Sequence, residues 1–124
     1  MANHSLLYVS TLTGIDGKTT GSTEIDTTSA SLRFVPMFIQ IEPTTATAVV
    51  VPSSISIGTN SPNYNDILAI TALTGLTSSN IMLQLTPAAL SSSLAASTGV
   101  FVKVTTGATA TTFTLRVSIL GFYF

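Results

Sequence analysis

The chain has 124 residues, with 4 Lys and Arg against 5 Asp and Glu and a formal net charge of −1. Charged residues are 7% of the total, against about 25% in an average soluble domain, while 22 Thr and 16 Ser supply a surface of hydroxyls. That balance excludes the basic footprint of a nucleic-acid or anionic-membrane binder, and the absence of cysteine excludes disulfides, thiol chemistry and zinc–thiolate sites.

The length fits one domain spanning 1–124. Its start, Met1-Ala-Asn-His-Ser-Leu-Leu, lacks the basic and apolar regions of a signal peptide. No apolar run approaches the roughly 18 residues of a membrane-spanning helix. Synthesis in a host cytoplasm without secretion is expected, with no membrane and no nucleic acid among the partners. Few charges and many hydroxyls protect poorly against association, so the surface suits a protein that works assembled.

In chain order, Leu6–Thr13 reads as a first strand closed by the turn Gly14-Ile15-Asp16-Gly17. Residues 18–31 are a polar stretch suited to an edge strand or an ordered loop. Leu32–Glu42 is apolar enough for a strand buried on both faces, and Pro36 within it requires an edge or a bulge. Ala46–Val51 and Ser53–Gly58 read as short strands parted by Pro52, and Thr59–Asp66 reads as a loop. Ile67–Leu76 is ambiguous between a helical turn and a strand, and Ile81–Leu85 reads as a strand. One short connecting helix is expected near residues 87–96, where Thr86 caps Pro87, Leu90 and Leu94 stand four apart, and Gly99 stops the run.

The end carries the clearest period. Val100, Val102 and Val104 alternate with Phe101, Lys103 and Thr105. After a turn at Gly107, a long strand runs from Thr111 to Phe124. Phe113, Leu115, Val117 and Ile119 make one apolar face; Thr112, Thr114, Arg116 and Ser118 make a polar one. Leu120, Phe122 and Phe124 continue that polar face as an apolar one, so something must cover it there. The whole predicts an all-β antiparallel sandwich, jelly-roll-like.

Chemistry is sparse. Gly17-Lys18-Thr19 has the ending of a phosphate loop, but Leu12 stands where the first glycine is required and no helix is expected to follow. His4 is the sole histidine, so a triad or transition-metal site lacks material. Asn60, Asn63, Asn65 and Asp66 could offer oxygens to calcium, but with one carboxylate they read as a self-bonded loop. No signature pairs two of Asp16, Glu24, Asp26 and Glu42 as acid and base, and Asn3-His4-Ser5 is a glycosylation acceptor only in a secreted protein. Tyr8, Tyr64 and Tyr123 could stack on sugars, with core packing as the default. The terminal Phe124 has the look of a closing outer-membrane strand, but the interior prolines and uneven strand lengths depart from such barrels. No enzyme, cofactor or metal is expected.

The runs Arg33-Phe34-Val35-Pro36, Ile57-Gly58-Thr59-Asn60, Tyr64-Asn65-Asp66-Ile67-Leu68, Gly99–Val104 and Arg116–Tyr123 together resemble small β-sandwich virion proteins of tailed bacteriophages, of the head decoration or cement type. The likeness runs from residue 31 onward and covers residues 1–30 poorly. It implies a non-enzymatic structural protein of the virion, a homo-oligomer and most readily a homotrimer, bound to the major capsid protein between capsid subunits. The alternative is a carbohydrate-binding β-sandwich module of a phage tail or cell surface. The expected interface residues are Leu120, Phe122 and Phe124.

Overall fold

Alternating apolar and hydroxyl side chains, with β-branched residues dominant, favour extended backbone. The computed structural model describes residues 6–88 and 93–124, and every regular element among them is a strand. They are β1 (Leu6–Asp16), β2 (Gly21–Thr27), β3 (Phe34–Thr47), β4 (Ser54–Gly58), β5 (Leu68–Ala72), β6 (Leu83–Leu85), β7 (Gly99–Thr106) and β8 (Thr112–Tyr123). They form two four-stranded sheets, ordered β1-β8-β3-β6 and β2-β7-β4-β5. All six pairings are antiparallel: four are nested, first with last, second with seventh, third with sixth and fourth with fifth, and β3 with β8 and β4 with β7 join them into sheets. This is the strand order of an eight-stranded jelly roll.

The core lies between the sheets. Phe113, Leu115, Val117 and Ile119 of β8 and Ile39 and Ile41 of β3 meet Ile55 and Ile57 of β4 and Val100, Val102 and Val104 of β7, all buried. Each such side chain contributes about 1.5–3 kcal/mol of burial, so the face predicted for β8 is the one that holds the layers together.

Several expectations are corrected. No helix spans 87–96: Ala88 N–H donates to Ile67 O and Leu94 exchanges backbone bonds with Phe34, and residues 89–92 lie outside the described ones. β3 is not buried on both faces, since Met37 and Phe38 are 43% and 48% exposed. Its Pro36 does sit at a register shift, between Pro36 and Phe38. Ala46–Val51 is not a separate strand: Ala46 and Thr47 end β3, and Val51 makes only an isolated bridge with Thr109. β1 runs on to Asp16 through an irregularity between Leu12 and Ile15, where Gly14 takes a positive φ of 79° that costs other residues strain. Residues 18–31 supply an edge strand, β2, and the ambiguous Ile67–Leu76 supplies β5.

Candidate functional site

The register of the first sheet sorts its outer face into rows. Leu120 of β8 is flanked by Val9 of β1 and Phe38 of β3, and Phe122 is paired with Leu7 and Val35. Below them come Thr11, Ser118 and Gln40, with Gln84 of β6 opposite Gln40, and then the pair Arg116 and Glu42. The face therefore changes from apolar to polar between Leu120 and Ser118 across three strands at once.

Leu120 and Phe122 are half-buried and Phe124 is 59% exposed. The backbone of Phe124 is fixed by reciprocal bonds with Arg33, while the rings of Phe122 and Phe124 stand 6.4 Å apart. The three residues are thus held in place with apolar surface still facing outward. Val9 (52% exposed), Phe38 and Met37 join them. Sequence reasoning missed these three, because no local pattern links β1 and β3 to the end of β8. The chain exposes apolar side chains elsewhere, at Val50, Val51, Ile70, Ile81 and Met82, on loops and strand edges. On the outer face of the first sheet, the region around Leu120 is the continuous one.

On the inner side of the same end, Tyr8 packs edge-on against Phe34 and Tyr123, which are tilted against each other, with centroids 5.0–6.3 Å apart. The Tyr8 hydroxyl donates to Asp26 Oδ2 at 2.6 Å and the Ser10 hydroxyl at 2.8 Å, tying β1 to β2 across the seam between the sheets. The Tyr8 bond holds the Asp26 carboxyl below its ordinary range; burial opposes that shift, and Ser10 and the Thr27 N–H add to it. The space among these residues is about 20 Å³, room for one water and not for a substrate. An open groove lined by Asp16, Thr19, Thr20, Ser22 and Thr23 brings one carboxylate to a surface of hydroxyls. That carboxylate is held low by the Lys18 N–H and then the Thr19 hydroxyl.

The other candidates resolve locally. Gly17-Lys18-Thr19 is a turn leading into β2, with Gly17 N–H donating to Phe113 O. Asp66 accepts from the Thr59 N–H and hydroxyl, and Asn60 bonds to Asn65 and to the backbone of 65 and 66, so the side-chain oxygens of these three serve the loop, while Asn63 offers its backbone carbonyl to the Ser56 hydroxyl. Among the described residues no three His, Asp or Glu side chains cluster as metal ligands. His4 and the Asn3-His4-Ser5 acceptor lie outside the described residues. Tyr123 is buried, Tyr64 stacks on Phe101 at 4.7 Å and Tyr8 is bound to Asp26, so the three tyrosines form no common sugar platform.

All nine charged side chains are engaged within the chain. Lys18 and Lys103 donate to the carbonyls of Thr111 and Pro62, and Arg33 donates to Ser93. Arg116 Nε donates to Glu42 Oε1 at 2.7 Å. Asp16, Glu24, Asp26 and Asp66 accept from neighbouring hydroxyls.

No family model matches the chain, and no curated protein matches its sequence. Two solved structures share the fold. A chain of the acidic stable capsid structure of Helicobacter pylori bacteriophage KHP30 aligns with a TM-score of 0.66 at 14% identity, covering 97% of this chain and 90% of that one. A chain of the cyanophage Pam1 capsid asymmetric unit aligns with a TM-score of 0.54 at 13% identity, covering 98% of this chain and 90% of that one. At these identities the likeness is one of fold.

Proposed function

We propose that this chain is a non-enzymatic structural protein of a phage virion, a decoration or cement protein that binds between subunits of the major capsid protein. The observation that carries the reading is the split outer face of the first sheet. A complete two-layer core already lies on the inner side of β8, yet Leu120, Phe122, Phe124, Val9 and Phe38 leave apolar surface uncovered. Contiguous apolar surface of this kind marks an interaction site. The kinship of fold with chains from two phage capsid structures supports the setting, and the engagement of every charged group inside the chain supports a role without acid–base chemistry. The working form is a homo-oligomer, and we expect a trimer.

The test is to find whether a major capsid gene lies beside this one and to cosediment the chain with shells assembled from its product. Saturable binding that raises the shell's melting temperature is expected; no binding at micromolar concentration refutes the reading. The double variant Phe122→Ser with Phe124→Ser should stay folded by circular dichroism and lose oligomerisation or shell binding. Each ring is worth roughly 2–3 kcal/mol if fully buried, and less for Phe122, already partly covered. A variant that unfolds, or assembles like the parent, puts the interface elsewhere.

A further inference from the structure

We infer that the apolar half of the first sheet's outer face is covered by a second copy of this chain, the patches of neighbouring copies meeting about the oligomer's symmetry axis. The inference rests on the assembly reading above and names the occupant of its surface.

Charge is the first argument. Where copies meet at a symmetry axis, twofold or threefold, each residue at the axis faces its own counterpart, so any ionised group there meets a like charge. The two rows around Leu120 and Phe122 contain none. Arg116 and Glu42 lie beyond the row of Thr11, Ser118 and Gln40 and neutralise each other. Arg33, in register with Phe124 at the upper rim, turns its guanidinium to Ser93. A partner of different sequence can exploit a charged patch by presenting the opposite sign, whereas a charge-free patch is complementary to itself.

Area is the second. Phe38 and Phe124 are 48% and 59% exposed, which for a side chain of about 200 Å² leaves roughly 200 Å² open between them. Val9, Met37 and the half-covered Leu120, Phe122 and Val35 bring the patch to about 400 Å². That is the apolar centre of a contact of about 800 Å² per partner, the remainder being a polar rim. The hydroxyl and amide row below Leu120 supplies such a rim. Sheet faces also match one another in shape, packing about 10 Å apart with side chains interdigitated.

The experiment is light scattering at micromolar concentration on the parent and on the double variant Val9→Asp with Phe38→Asp, two exposed positions. The parent should have a mass that is a multiple of 12.8 kDa. The variant, folded by circular dichroism, should fall to 12.8 kDa, its association weakened about 100-fold or more by like charges facing each other. A monomeric parent, or a variant of unchanged mass, overturns the inference. A variant that keeps its mass but loses shell binding also overturns it, because the shell is then the occupant and the virion reading survives. A monomeric variant that still binds shells supports it, and so does loss of mass in a protein whose parent binds no shell, where the virion reading alone falls. Should the variant unfold, Phe124→Cys decides. The parent has no cysteine, so a short bismaleimide should join two copies at 124 and fail to join them in Thr23→Cys on the other sheet. No cross-link at 124 overturns the inference.

Discussion

Tyr8→Phe removes one hydroxyl from the seam where β1 of one sheet meets β2 of the other. That hydroxyl donates at 2.6 Å to Asp26 Oδ2, which also accepts from Ser10 at 2.8 Å, while Oδ1 accepts from the Thr27 N–H at 2.8 Å. A hydrogen bond to an ionised group contributes about 1.5–3 kcal/mol. Tyr8 is 36% exposed, so water competes and the figure falls to roughly 1 kcal/mol. For a chain of this length that is a drop of roughly 3–5 °C in melting temperature. The sign with pH follows from the same bond. It lowers the folded pKa of Asp26, so its stabilisation is complete above the unfolded carboxyl pKa of about 4 and is lost as pH falls through the lower folded value. The Tyr8 hydroxyl is pushed up, first by the same bond to Asp26 and then by burial. Its contribution is therefore present below about pH 10 and is lost as pH rises through the raised value. Melts of parent and Tyr8→Phe should differ fully at pH 7 and converge as pH falls below about 4. An equal or larger difference in acid, or none at pH 7, refutes an ionised carboxylate as the acceptor.

Ser53 is fully buried and its hydroxyl has no partner among the described residues, so Ser53→Ala should leave urea stability unchanged or raise it by up to about 1 kcal/mol; a loss of more than that would reveal a hidden bond. Gly121 sits in the central strand β8 where a Cβ would collide with Val35 O and come 2.6 Å from the Phe34 ring, so Gly121→Ala should destabilise by about 1–3 kcal/mol or more in the same titration.

The inward face of β8 was legible because Phe113, Leu115, Val117 and Ile119 alternate without interruption, and the outward face because the pattern changes at Leu120 within one strand. The partners of Leu120 were not legible. Val9 and Phe38 reach it through pairings between β1, β8 and β3, which leave no periodic trace in either segment. β3 misled for a related reason: an apolar run on both sides reads as doubly buried, whereas one side meets the core and the other is left open. At Ala88 and Leu94 local helical propensity gave way to long-range pairing, the first bonded to Ile67 and the second to Phe34. The isolated bridge of Val51 shows the same limit, since β-branched sequence marks extended backbone and does not reveal whether a full ladder partner exists.

The scarcity of charge bears on how this protein finds anything at all. With 4 cations and 5 anions in 124 residues and a net charge of −1, the molecule projects little field beyond its surface, and no gradient draws a partner toward the correct face. Encounter then proceeds by unguided diffusion, at the neutral rate of about 10⁵–10⁶ M⁻¹s⁻¹, and ionic strength has little hold on it. What such a protein gains in occupancy it must gain after contact, in the time it stays, so the selectivity of its docking lies in residence and shape.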